Sequence, residues 1–151
     1  MHTIELETVI RASPEVCFDL SRDVDFHLQT AAKTGERVIS GQTTGLLGPG
    51  ARVTWQARHL GLRLRLEVAI VEYQRPNFFV DTMLHGPFRA MRHEHTFKKQ
   101  GEHTLMTDRF AFALPGGPIG CLVGKLIVGP HLRRFLLARN EAIRLRAEAQ
   151  T

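Results

Sequence analysis

Two stretches of the chain set ionisable side chains among apolar ones at strand spacing: Met91-Arg92-His93-Glu94-His95-Thr96-Phe97, and Thr104-Leu105-Met106-Thr107-Asp108-Arg109-Phe110-Ala111-Phe112. Alternation puts His93 and His95 on the side of Met91 and Phe97, and Asp108 on the side of Met106, Phe110 and Phe112. A hairpin centred on Gln100-Gly101 pairs Phe97 with Thr104, His95 with Met106, His93 with Asp108 and Met91 with Phe110. Directly paired strand residues share a face, with Cβ atoms about 4.5 to 5.5 Å apart, so His93 and Asp108 are expected to share a hydrogen bond. A carboxylate there fixes the imidazole tautomer and favours its protonation, which is equipment for general acid/base work. The competing assignment is a pair that only satisfies itself within the core. Arg92, Glu94, Thr107 and Arg109 fall on the opposite, solvated face.

His93 and His95 also form a His-x-His pair on one face, the spacing of zinc or iron ligands in several β folds. A third ligand is needed, and Asp108, His59 or His85 are the candidates. The glycine and proline framework of a cupin motif is missing, and Asp108 is already assigned to His93. The expectation is therefore no tightly held metal and no cofactor, with a metal-dependent enzyme as a minor alternative. An apolar face carrying ionisable groups is the usual lining of a ligand cavity. Trp55, His59, His93, His95, Met106, Asp108, Phe110, Leu136 and Asn140 are the expected ligand-binding residues, with His93 and Asp108 catalytic if the protein is an enzyme. Asn140 lies near the apolar stripe of a C-terminal helix, bordered by Arg139, as a ligand contact or a helix-to-sheet hydrogen bond.

These groups need elements to position them. Residues 3–11 alternate as a strand, and a helix follows at once: Ser13 suits its N-cap, Pro14 its first position and Glu15 its positive end. A second short helix spans 24–32. Gly35, Gly41, Gly45, Gly48 and Gly50 punctuate a strand and a loop. Residues 51–60 and 62–73 form a hairpin turning at Leu60-Gly61, which pairs His59 with Leu62, Ala57 with Leu64, Trp55 with Leu66 and Val53 with Val68. One side of it is apolar, the other carries Arg58, Arg63 and Arg65, so one sheet face meets water. The strand 78–85 turns at Gly86-Pro87. A four-residue turn points Phe78, Val80, Thr82 and Leu84 inward, and an odd turn points Phe79, Asp81, Met83 and His85 inward. Beyond Pro118 the pattern is helical, with Leu122, Leu126, Leu132, Leu136 and Ile143 on one face and a break or kink at Gly129-Pro130.

The whole is an α+β chain. A curved antiparallel sheet of about seven strands wraps a long C-terminal helix, with two short helices after the first strand. A curved sheet and a cylinder do not pack flush, and a cavity is expected between them. The 151 residues fit one domain, 1–151. No run approaches the roughly 20 apolar residues of a membrane span, and the N-terminus lacks a signal-like pattern, so no integral membrane association is expected. The net charge of +5 is scattered over outward strand positions and the C-terminal helix without interleaved aromatic residues, which argues against nucleic acid. Cys17 and Cys121 fall in helices far apart, without metal or redox spacing, and read as buried free thiols of a cytoplasmic protein. Monomer and homodimer both remain open.

Five segments resemble a known family. Ile10-Arg11-Ala12-Ser13-Pro14-Glu15-Val16-Cys17-Phe18-Asp19-Leu20 is similar to the strand-to-helix entry of the START-like helix-grip superfamily, often called SRPBCC. Val53-Thr54-Trp55-Gln56-Ala57-Arg58-His59, Gly86-Pro87-Phe88, His93-Glu94-His95-Thr96-Phe97 and Thr104-Leu105-Met106-Thr107-Asp108 resemble its polyketide cyclase/dehydrase-like, ligand-binding branch. The resemblance covers essentially the whole chain. It implies the helix-grip fold and binding of an apolar or amphipathic small molecule by a carrier or sensor. A cyclase or dehydratase using His93 and Asp108 is the alternative, and the resemblance brings no fixed catalytic constellation with it.

Overall fold

The computed structural model describes residues 1–150. Strand β1 (His2–Ile10) leads through a tight corner into α1 (Pro14–Ser21) and α2 (Val24–Thr30). The Ser13 side chain accepts the Val16 N–H and Asp23 accepts the Phe26 N–H, so each short helix starts on a residue able to take an orphan donor. The second helix is shorter than 24–32 because residues Ala32–Thr34 tighten into a 3₁₀ turn. Strands β2 (Arg37–Gly41), β3 (Arg52–His59), β4 (Leu62–Gln74), β5 (Phe78–His85), β6 (Ala90–Gln100) and β7 (His103–Ala113) follow. They form one antiparallel sheet in the order β1-β7-β6-β5-β4-β3-β2, so the chain's first strand closes against its last.

The β3–β4 register is the expected one, from His59↔Leu62 to Val53↔Val68. Leu60 and Gly61 both take positive φ, 52° and 80°, the backbone that a two-residue hairpin loop requires. The β6–β7 register differs from expectation by two residues. Gln100 pairs with His103 around a Gly101-Glu102 loop, so His95, not His93, lies opposite Asp108, and His93 lies opposite Phe110. Gly101, at φ 62°, occupies the first loop position and moves the turn centre one residue along. A shift of two preserves the face, so all the inward assignments survive. In β5 the odd-turn alternative holds for Phe79, Asp81 and Met83: Phe79 pairs with His95 and Asp81 with His93, which turns Asp81 inward, whereas the His85 side chain, beyond a register shift against β4, is 86% exposed.

The C-terminal helix runs 33 residues as α3 (Gly117–Val123), a wide π turn (Gly124–Val128) and α4 (Gly129–Ala149). It does not break at Gly129-Pro130. Pro130 brings no N–H to the ladder, and the wider turn absorbs the missing bond, with the Gly129 N–H donating to the Gly124 carbonyl. Leu136 and Ile143 are buried against the sheet as expected. Leu122 and Leu126 are not: they are 57% and 62% exposed, because the π turn rotates the preceding residues off the stripe that α4 presents inward. Cys121 is likewise exposed, whereas Cys17 is buried. Among the described residues no helix is long and apolar enough to cross a membrane.

Candidate functional site

The hollow side of the sheet and α4 enclose a cavity of about 320 Å³, within the range of small-molecule sites. Trp55, Leu64, Leu66, Val68 and Ile70 supply one wall from β3 and β4, and Val128, Leu132, Phe135 and Leu136 supply the facing wall from the C-terminal helix. Leu60 and Leu62, on the β3–β4 turn, line the cavity while remaining 53% and 62% exposed, and so mark its mouth. Asp81, His93 and His95 interrupt this apolar lining from neighbouring positions on β5 and β6.

The polar cluster is built around Asp108. His93 Nε2–H donates to Asp108 Oδ1 at 2.8 Å, and His95 Nδ1 lies 3.3 Å from the same oxygen. Asn140 on α4 donates to Asp108 Oδ2 at 2.6 Å, which ties the long helix to the sheet. His95 Nε2 bonds Asp81 Oδ2 at 2.9 Å. The two imidazoles lie against each other with centroids 3.8 Å apart, and Phe79 stacks on His95 at 4.1 Å. His93 Nδ1 has no protein partner among the described residues. Unlike Asn140 Oδ1, which is buried and unbonded, it is not sealed from solvent, and the ring it belongs to borders the cavity.

Environment separates the two histidines. Burial lowers the affinity of both for a proton. For His95 the hydrogen bonds with Asp108 and Asp81 overcome burial, and its pKa is raised. For His93 burial wins, helped by the charge of His95, and its pKa is lowered. The two rings are thus pushed in opposite directions, His95 toward the protonated form and His93 toward the neutral one. Burial pushes both carboxyl groups up, but the hydrogen bond from His95 brings Asp81 below the ordinary carboxylate value, and those from His93 and His95 bring Asp108 well below it.

The expected residues divide into two layers. Trp55, His59, His93, His95, Phe110 and Leu136 line the cavity. Met106, Asp108 and Asn140 do not: they are each about 2% exposed and sit behind the lining. Asn140 is therefore the helix-to-sheet hydrogen bond of the two roles open to it, and Asp108 acts through the histidines. His59 stands at the mouth, where its Nδ1 bonds His131 Nε2 on α4 at 2.9 Å. Asp81 is the important omission, since its face depended on the undecided β5–β6 turn. Arg139 also reaches the lining and donates to the Ser21 carbonyl at 2.7 Å.

Comparison with known proteins agrees with this architecture. The model of a family described as polyketide cyclase / dehydrase and lipid transport matches residues 1–148. No curated protein matches the sequence. The solved structure of TTHA0849 from Thermus thermophilus is similar at TM-score 0.80 and 20% identity over 99% of each chain. A START superfamily protein from Mycobacterium smegmatis superposes at TM-score 0.72 and 15% identity over 100% of each chain. The Zhui aromatase/cyclase from Streptomyces sp. R1128 does so at TM-score 0.74 and 15% identity, over 97% of this chain and 93% of its own. At these identities the likeness establishes the helix-grip fold. With nearly its full length matched by the family model, the chain belongs to the polyketide cyclase / dehydrase and lipid transport family.

Proposed function

We propose that this protein binds an apolar or amphipathic small molecule in the cavity between sheet and helix, and serves as a carrier or sensor for it. The observation that carries the reading is an apolar cavity of about 320 Å³ whose lining includes His93, an imidazole with one ring nitrogen unpartnered among the described residues. Burial of the ligand's apolar part supplies most of the affinity, about 25 cal/mol per Å² removed from water before ordering costs. A hydrogen-bonding group on the ligand is chosen by His93 Nδ1. The reading places the protein in the cytoplasm, where the free thiols of Cys17 and Cys121 persist, as a monomer or homodimer without nucleic-acid partners.

A screen of fatty acids, aromatic polyketides and sterols tests the proposal by thermal unfolding. A ligand that binds only the folded state stabilises it by about 2.7 kcal/mol at one hundred times its dissociation constant. The expected result is a saturable rise in Tm for at least one class, with His93→Ala weakening polar ligands more than purely apolar ones. No rise with any compound would count against the reading.

One observation favours a second reading, a cyclase or dehydratase. Asp108 takes the Nε2–H of His93, so the opposite nitrogen is the one presented to a ligand, as a base for proton transfer requires. His93→Gln would then retain ligand binding and lose turnover of that ligand.

A further inference from the structure

We propose that Asp81, His93 and His95 form a binding site for a first-row divalent transition-metal ion at the floor of the cavity. One donor atom from each of the three lies within 4.8 Å of the others. A four-coordinate ion with bonds of about 2.0 to 2.1 Å holds its ligands about 3.3 Å apart, so modest side-chain rotations close the set around an ion. The third ligand that the His-x-His spacing lacked is Asp81, which β5 sets directly opposite His93.

The arrangement behind the ligands supports the assignment more than their proximity does. Histidines that bind metals commonly give their second ring nitrogen to a carboxylate, which fixes tautomer and ring orientation. Here one oxygen of Asp108 serves both rings, at 2.8 Å from His93 Nε2 and 3.3 Å from His95 Nδ1. That leaves His93 Nδ1 without a partner among the described residues and His95 Nε2 facing Asp81 Oδ2 at 2.9 Å. Asn140 holds Asp108 from the helix. The His93 ring borders the cavity, so its unbonded nitrogen is open to a ligand instead of being paired within the core. Asp108 and Asn140 are positioning residues in this site, and the three ligands belong to the cavity lining.

Two imidazoles and one carboxylate select zinc, iron, cobalt or nickel over calcium and magnesium, which want oxygen donors. Three protein ligands leave at least one coordination position, and because all three line the cavity, it opens there. The site would take the donor atom of a bound ligand as well as holding the ion.

Titration of untagged, chelator-stripped protein with Co²⁺, followed by visible absorption, tests the site without any organic ligand, so its failure would leave the cavity reading intact. The expected result is one Co²⁺ per chain with ligand-field bands that Zn²⁺ abolishes by competition. His93→Gln and Asp81→Asn should each weaken binding tenfold or more. Asp108→Asn should weaken it by about 10- to 100-fold while keeping one ion per chain. His85→Gln, a solvent-exposed histidine outside the cluster, should bind as the wild type does. Zn²⁺ should also raise the wild-type Tm, a readout that does not depend on any variant folding. Absence of Co²⁺ binding, a wild-type Tm indifferent to Zn²⁺, or undiminished binding in a folded His93→Gln variant would each overturn the proposal.

Discussion

Asp108 carries the polar cluster because each of its oxygens serves a buried partner, His93 on one side and Asn140 on the other. Truncating it strands an imidazole and an amide in a buried region, and removing one partner of a buried charged network costs about 3–5 kcal/mol. Asp108→Ala should therefore lower the unfolding free energy by about that amount in urea melts, with Asp108→Asn milder because its amide retains an oxygen acceptor. A loss below about 1 kcal/mol for the alanine variant would show that the cluster tolerates an orphaned imidazole. The two cysteines offer a second check at this scale. Burial pushes the Cys17 thiol up to about 11, while Cys121 is exposed. At pH 8 a thiol reagent should modify one cysteine rapidly in the native protein and the second only after unfolding, since the thiolate is the reactive form. Two fast thiols would contradict the packing of α1.

The elements that hold the site depend on a few close approaches. Gly120, in α3, sits so near the Pro115 carbonyl that a Cβ there would lie 2.0 Å from its oxygen. Gly120→Ala must push α3 from its seat, and an overpacked site of this kind typically costs about 1–3 kcal/mol. Gly48→Ala, with nothing within 4 Å of the added Cβ, is the comparison, and calorimetric Tm values of the two variants should separate clearly. The same elements show what was readable from the sequence. The β3–β4 pairing was legible because Leu60-Gly61 is a tight loop between two clean alternations. The β6–β7 face was legible for the same reason, although its partners were not: moving the turn centre from Gln100-Gly101 to Gly101-Glu102 changes every partner and no face. Asp81 was hidden because Phe78, Phe79 and Val80 are apolar in succession, so only the length of the β5–β6 turn could have fixed its side. The π turn before Pro130 left no periodic signal in a stretch that is apolar on several faces, and Leu122 and Leu126 were misplaced with it.

At the scale of the molecule, pH reads out how the mouth and the outer frame are held. His59 lies below the ordinary imidazole value because of burial and the neighbouring His131, against the pull of Glu36. His131 is lowered by burial and by Arg134. A histidine whose folded-state pKa is lowered binds fewer protons folded than unfolded. The stability it lends is complete above about 6.5 and is lost as pH falls through the folded value. His95, shifted upward, contributes in the opposite sense, so the comparison of wild type with His59→Gln isolates the mouth, and the variant should lose less stability between pH 7 and 5. Asp19 is lowered by its hydrogen bonds from Arg75 and Arg22. Its contribution is present above the ordinary carboxylate value near 3.8 and disappears below it, so Asp19→Asn should flatten the acid limb of the stability curve.

Entry of a small molecule into the space between sheet and helix can be followed by heteronuclear NMR titration with a phenolic aromatic such as 2-naphthol. Saturable shifts at one ligand per chain are expected, confined to the Trp55 indole, the His93 ring and the methyl groups of Leu64, Val68, Ile70 and Leu136. Shifts absent from these groups, or restricted to the exposed side chains of Ile119, Leu122 and Leu126, would mean that no ligand occupies the cavity.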